Sequence, residues 1–188
     1  MKLDFLDHQI IECLVELPSK LSQLSSSEAN ILFNKDQPVR KPELEIKLKK
    51  LVAEGYLDWR DSNGNKKSYF NEMSKDDVFC LTTNGGAKWE EKNKPNWEFF
   101  LLEEFEYIDN YIIKVLVGSP SKDSLIKYLN PLESKIIFHI KKVSPWEAFY
   151  WKQFDTGHIA SFEINEKEYE TLIPDKSSWQ MKFKGEDS

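Results

Sequence analysis

Two cysteines and three histidines are all that this 188-residue chain offers for thiol chemistry or soft-metal ligation. Cys13 and Cys80 stand far apart in apolar contexts, a pattern of buried free thiols, and a reducing, cytoplasmic setting is expected. His8, His139 and His158 are isolated from one another and from both cysteines. A zinc site needs several such ligands at suitable spacing, so no metal is expected. Nothing approaches the roughly 18 consecutive apolar residues of a membrane span, so no membrane partner is expected either. The opening "MKLDFLDHQIIECLVEL" holds a lysine and many apolar residues. Asp4, Asp7, Glu12 and Glu16 interrupt the run, which does not suit the core of a signal peptide. Internal repeats and low-complexity segments are also lacking.

The motifs of catalysis are equally sparse. Asp155-Thr156-Gly157 matches the tripeptide of aspartic proteases, but those enzymes need two carboxylates sharing a proton, and the chain has one copy. Asp and Gly are also what a hairpin turn demands. "VGSPSKDS" from Val117 to Ser124 sets glycine, serines and a lysine between a strand and a helix, without the glycine spacing and Lys-Ser/Thr ending of a P-loop. It reads as a strand-to-helix turn with a serine cap. No G-x-S-x-G nucleophile elbow occurs. The chain is therefore expected to be no enzyme and to carry no cofactor.

Basic residues are outnumbered, 26 against 32 acids, for a net charge of −6. That balance opposes general affinity for nucleic acid while leaving room for a local basic face. What the chain has in quantity is apolar and aromatic side chains, 40% and 13% of residues. These suffice for the cores of one large domain or two small ones.

Phe5, Ile10, Ile11, Leu14 and Val15 fall near helical spacing and predict a first helix. The Ser-rich stretch before Ala29, Leu32 and Phe33 predicts a short second one. In "VRKPELEIKLKKLVAEGYLDW", Pro42 suits a first helical turn and Gly55 a C-terminal cap. Leu44, Leu48, Leu51 and Val52 fall on one face between them, predicting a buried stripe on a third helix over 42–54. Tyr56, Leu57 and Trp59 begin a strand, Asn63-Gly64 marks a hairpin turn, and "VFCLT" returns. In "FCLTTNGGAKWEE", Gly85 and Gly86 read as a tight or positive-φ turn before a helix from Ala87.

Helix, helix, helix, strand, turn, strand, helix is the order of a winged helix. The segments "LKKLVAEGYLDW", "NGN" and "FCLTTNGGAKWEE" resemble the "L…L…G.L…LT..G…" pattern of MarR-like and related winged-helix domains, over about residues 3–95. The resemblance implies a wing closed by "LT..G", with its tip at Asn63-Gly64, and DNA as a partner. In such a domain the segment from Asn34 to Lys67 would face the duplex. Its nine bases include Lys35, Arg40 and the candidate phosphate contacts Lys41, Lys47, Lys49, Lys50, Arg60, Lys66 and Lys67. Six acids leave it at +3. Glu43 and Glu45 occupy the first turn of its helix, where carboxylates suit the dipole and repel phosphate, although Glu can accept from cytosine.

Pro95 punctuates a junction, giving domains over 1–95 and 96–188. "YIIKVLV" predicts a buried strand and "GSPSKDSLIKYL" a turn and helix. "SKIIFHIKKV" predicts another strand, "EAFYWKQF" and "HIASFEI" a hairpin about Asp155-Thr156-Gly157, and "NEKEYETLI" a short helix. The tail "KFKGEDS" is expected to fray. The fold class is α+β: a winged helix followed by a small α+β domain with a mostly antiparallel sheet. The second half matches no known family pattern. Its stretch "LLEEFEYIDN" carries Glu103, Glu104, Glu106 and Asp109 with no base among them. At helical spacing Glu103, Glu106 and Asp109 would share one side. A solvated face is the ordinary account. The sharper one is an acidic docking surface for a basic protein partner, with Trp146 and Trp151 of the aromatic run as core or as interface anchors. Two functions follow. The first is a non-catalytic protein-binding module of the bacterial immunity or antitoxin kind. The alternative is a DNA-binding regulator whose second half senses a ligand or dimerises.

Overall fold

In the computed structural model the described residues are 3–25 and 41–173. The predicted helix around Ala29, Leu32 and Phe33, the bases Lys35 and Arg40, and the tail lie outside them. The protein is α+β, and every paired strand is antiparallel. The chain divides into two compact units. The first takes in the described residues up to Lys92 together with Phe149–Lys152, and the second takes in Asn93–Ala148 and the residues from Gln153 onward.

The first unit opens with helix α1 (Phe5–Cys13), started by a reciprocal cap. The Asp4 side chain accepts from the Asp7 amide and the Asp7 side chain from the Asp4 amide, each at 3.0 Å. This satisfies two amides at the start of the helix, in the manner of a capping box. Strand β1 (Ser19–Lys20) and helix α2 (Leu21–Leu24) follow. Helix α3 (Lys41–Ala53) buries Leu44, Leu48 and Leu51. Val52 is only half-buried, at the margin of that stripe, so its predicted core role does not hold. Gly55 at φ +74° ends the helix, a conformation only glycine adopts without strain.

Strands β2 (Leu57–Arg60) and β3 (Val78–Leu81) pair with Leu57 opposite Leu81, and β1 joins the far side of β3. Between β2 and β3 the chain turns at Asn63-Gly64, where Gly64 has φ +84° and the Asp61 carboxylate accepts from the amides of Asn63 and Asn65 at 2.9 Å.

Helix α4 (Thr83–Asn93) contains Gly85 and Gly86 in its first turn, and neither has positive φ. The expectation of a glycine turn there is corrected. Both are needed for close approach: a Cβ on Gly85 would overlap the Tyr56 carbonyl oxygen, and one on Gly86 would overlap the Trp151 ring. The returning residues of this unit are held accordingly. Trp151 donates its indole N–H to the Val15 carbonyl at 2.7 Å, and the Tyr150 hydroxyl accepts from the Leu81 amide at 2.8 Å.

The second unit is a four-stranded sheet, in the order β4 (Leu102–Tyr107), β5 (Ile112–Ser119), β9 (Gly157–Asn165), β6 (Lys141–Val143). Ile113, Val115 and Val117 stand opposite Ile164, Phe162 and Ala160 on one buried face. Helices α5 (Lys122–Leu129) and α6 (Glu166–Leu172) cover that face through Leu125, Tyr128, Leu129 and Tyr169. Of "SKIIFHIKKV" only β6 pairs, while Ile136, Phe138 and Ile140 pack against the core without joining the sheet. Strands β7 (Trp146–Phe149) and β8 (Lys152–Phe154) form a separate hairpin, so the turn lies at Tyr150-Trp151 and not at Asp155-Gly157. Gly157 serves another purpose. With Gly118 it leaves room for the Trp146 ring, which would overlap a Cβ at either position.

Candidate functional site

Two surfaces carry the sequence-predicted site residues, one in each unit. The basic set of the first unit is largely committed to carboxylates of the same unit. Asp7, fully buried, meets the ammonium groups of Lys50 and, at 3.6 Å, Lys47. Lys47 also bonds Asp4. That bond holds the Asp4 carboxyl at about 2, below its ordinary value near 3.8, and raises the Lys47 ammonium in return. Lys67 bonds Asp77 at 2.9 Å and lies 4.7 Å from the centre of the Trp59 ring. Asp77, only 2% exposed, also accepts from the Trp59 indole at 2.9 Å and the Ser74 amide at 2.8 Å. Burial opposes its charge, but these donors outweigh burial and its carboxyl ends below the usual range. Lys66 pairs with Asp58 at 2.6 Å and Lys41 with Glu45 at 3.9 Å, both at the surface.

A phosphate competing for Lys47, Lys50 or Lys67 would leave a buried carboxylate short of charge compensation, which typically costs about 3–5 kcal/mol. Surface pairs such as Lys66–Asp58 are worth at most about 1 kcal/mol and yield easily. Among the described residues no ion pair engages Lys49 or Arg60. Of the seven predicted phosphate contacts, those two are the least committed.

Three of the four acids, Glu103, Glu104 and Glu106, lie on a strand and not a helix, which corrects the helical spacing assumed for the set. In β4 successive side chains alternate between faces. Glu103, Phe105 and Tyr107 therefore share the face of their partners Val117, Val115 and Ile113, while Glu104 and Glu106 point the other way. Glu103 is half-buried and accepts from the Tyr169 hydroxyl at 3.0 Å, next to the Tyr128–Tyr169 hydroxyl pair at 2.5 Å. Asp109 builds the β4–β5 turn, accepting from the amides of Tyr111 and Ile112 at 2.7 and 2.8 Å, and those bonds lower its carboxyl. Glu106 makes an exposed pair with Lys114 at 3.1 Å. Trp146 and Trp151 are 5% and 6% exposed, so both serve as packing in their own units and neither is an interface anchor.

The residues that sequence reasoning missed are tyrosines. Tyr107 and Tyr111 flank the β4–β5 turn at 66% and 68% exposure, with Ile108 at 50% between them. The Tyr107 hydroxyl donates to Glu166 at 2.7 Å, and that bond, with the charges of Glu166 and Glu170, raises the phenol. The signal was present in "EEFEYIDNY", where acid and ring alternate from Glu104 to Tyr107 and Tyr111 follows after Asp109. Both cysteines are half-buried free thiols; burial pushes Cys13 up to about 12 and raises Cys80, so neither is a ready nucleophile. Among the described residues, no three His, Cys, Asp or Glu side chains converge to hold a metal ion. No helix among them is long and apolar enough to cross a membrane. No family model, no curated protein and no solved structure matches the chain.

Proposed function

We propose that the protein is a non-catalytic protein-binding module whose second unit docks a basic partner through the acidic, tyrosine-bearing β4–β5 turn. The observation that carries this reading is the pairing of Tyr107 with Glu166, next to Glu170, at a turn with three large side chains half or more exposed. Tyrosine gives large contact area at low entropy cost, and its ring faces attract Lys and Arg. Carboxylates beside it add ion pairing and speed encounter with a basic surface. An immunity or antitoxin protein is the natural analogy, acting by occupying its target. The free, protonated thiols suit the cytoplasm.

The test is affinity capture from cells of the source organism, followed by binding measurements with the purified partner. Tyr107→Ala should weaken the complex at least tenfold. Glu106→Lys with Glu166→Lys should slow association and flatten its dependence on salt. A partner bound equally by all these variants would sink the reading.

The second reading is a winged-helix regulator of transcription. It is supported by α3 followed by the β2–β3 pair and by Lys49 and Arg60, which no ion pair engages among the described residues. A duplex titration at low salt tests it: Lys49→Glu with Arg60→Glu should abolish retardation, while an unchanged shift would place any DNA contact elsewhere.

A further inference from the structure

The connection between β2 and β3 holds a second turn that neither reading uses. Ser68, Tyr69, Phe70 and Asn71 close it through the Asn71 amide, which donates to the Ser68 carbonyl at 3.0 Å. The Asn71 side chain completes the ring from the other side, its oxygen accepting from the Ser68 amide at 2.8 Å and the Ser68 hydroxyl at 3.0 Å. The preceding residue, Lys67, ties both flanks to the body of the unit. Its ammonium donates to the Glu72 carbonyl at 2.6 Å and to buried Asp77 at 2.9 Å.

The two central positions of this braced turn hold Tyr69 and Phe70. Turn centres ordinarily carry small or polar residues. Here Phe70 is 80% exposed and Tyr69 43%, with ring centroids 4.0 Å apart. Phe70 is largely uncovered, and the bracing fixes the backbone that carries both rings in advance of any contact. An aromatic pair on a braced backbone meets less of the ordering cost on binding than one on a flexible loop.

We propose that Tyr69 and Phe70 form a preorganised hydrophobic anchor that inserts into an apolar pocket on a protein partner. Charge selects the class of partner. From Arg60 to Asp77 the chain has four bases (Arg60, Lys66, Lys67, Lys75) and four acids (Asp61, Glu72, Asp76, Asp77). Lys66 and Lys67 are moreover paired with Asp58 and Asp77. A duplex or an anionic bilayer is held by an excess of positive charge, and this tip has none. A convex tip of two adjacent rings suits a concave apolar pocket, the usual seat of an aromatic hot spot. The anchor lies in the first unit and does not depend on the docking proposed for the second.

The experiment places the photo-crosslinking residue p-benzoylphenylalanine at position 70 of the full chain, in cells of the source organism. The adduct is identified and the partner purified. A discrete protein adduct is expected, and the purified partner should bind Phe70→Ser about 30-fold or more weakly, with circular dichroism unchanged. Asn71→Ala keeps both rings but removes the side-chain brace, and an intermediate loss is expected. Phosphatidylglycerol vesicles and a 30-base-pair duplex are assayed in parallel with wild type and Phe70→Ser. Absence of a protein adduct overturns the proposal, as does partner binding by Phe70→Ser within about twofold of wild type. Selective loss of vesicle or duplex binding also overturns it. Loss with Phe70→Ser but not with Glu106→Lys/Glu166→Lys would support the anchor as a site of its own; loss with the charge reversals alone would overturn it.

Discussion

Gly86→Ala reports directly on how the first unit is packed. On propensity alone the change should stabilise, because alanine in a helix interior is favoured over glycine by about 1 kcal/mol. Gly86 lies within α4 at ordinary helical φ, so no backbone strain opposes it. The opposition comes from Trp151, whose ring occupies the space of the missing Cβ. That ring cannot easily retreat. Its indole N–H is bonded to Val15, Trp89 packs edge-on at 6.1 Å, and Phe149 stacks at 5.8 Å. Overpacking of this kind costs about 1–3 kcal/mol, so the single variant should lie between neutral and destabilised by about 2 kcal/mol after the propensity gain of about 1 kcal/mol. In a Trp151→Ala background the obstacle is gone, and the same change should stabilise by up to about 1 kcal/mol. Urea denaturation of the four proteins, followed by far-ultraviolet circular dichroism, closes the cycle. A stabilising Gly86→Ala in the wild-type background, or an equal effect in both, would refute the packing argument.

Leu48 is fully buried in α3, and Leu48→Ala should cost about 2–5 kcal/mol in the same assay; an unchanged midpoint would contradict its place in the core. Lys50→Ala takes one of two ammonium groups from buried Asp7 and should cost about 3 kcal/mol, a loss that Asp7→Asn in the same chain should partly restore. Tyr169→Phe removes the hydroxyl shared with Tyr128 and Glu103 and should cost about 1–3 kcal/mol, read as a lower thermal midpoint. The Asp4 carboxyl is depressed to about 2 in the folded chain, so its contribution is complete above its ordinary value near 3.8 and fades as pH falls toward 2. Its side chain is 54% exposed, and solvent screening reduces the effect to about 0.5 kcal/mol. Thermal midpoints of wild type and Asp4→Asn should differ at pH 6 and converge near pH 2, and a constant gap would contradict the pairing with Lys47.

Helix α3 was legible in the sequence because its determinants are local. Leucines at positions 44, 48 and 51 mark a face, and Gly55 supplies the left-handed cap. The turn at Asn63-Gly64 was legible for the same reason. Gly85 and Gly86 were misread because adjacent glycines suggest a turn, whereas their cause is a carbonyl at Tyr56 and a ring at Trp151, both remote in sequence. Gly157 was misread likewise, since a turn glycine and a glycine beneath Trp146 look alike in one dimension. Strand β1 has only two residues and exists through its pairing with β3. No propensity could announce it. In the second unit, the expected partner of β9 was the strand just before it. Pairing with β5 and β6 wins because it places Ala160, Phe162 and Ile164 against the buried face of β5.

Charge was the least legible property, for a physical reason. The excess of +3 between Asn34 and Lys67 counts only carboxylates close in sequence. The acids that matter are Asp4 and Asp7, forty-three positions before Lys47 and Lys50, and Asp77, ten after Lys67. A lysine facing a buried carboxylate is a structural cation, and its charge is spent within the fold. The acidic stretch shows the converse. Glu103 and Asp109 are engaged by a hydroxyl and by turn amides, so two of its four carboxylates serve the fold before any partner arrives. The exposed aromatic side chains include a pair of tyrosines in the second unit and a braced pair of rings in the first. Uncompensated apolar surface, more than net charge, therefore directs the search for a partner. It also fixes the order of experiments: aromatic variants at Tyr107 and Phe70 first, with charge reversals as the control on mechanism.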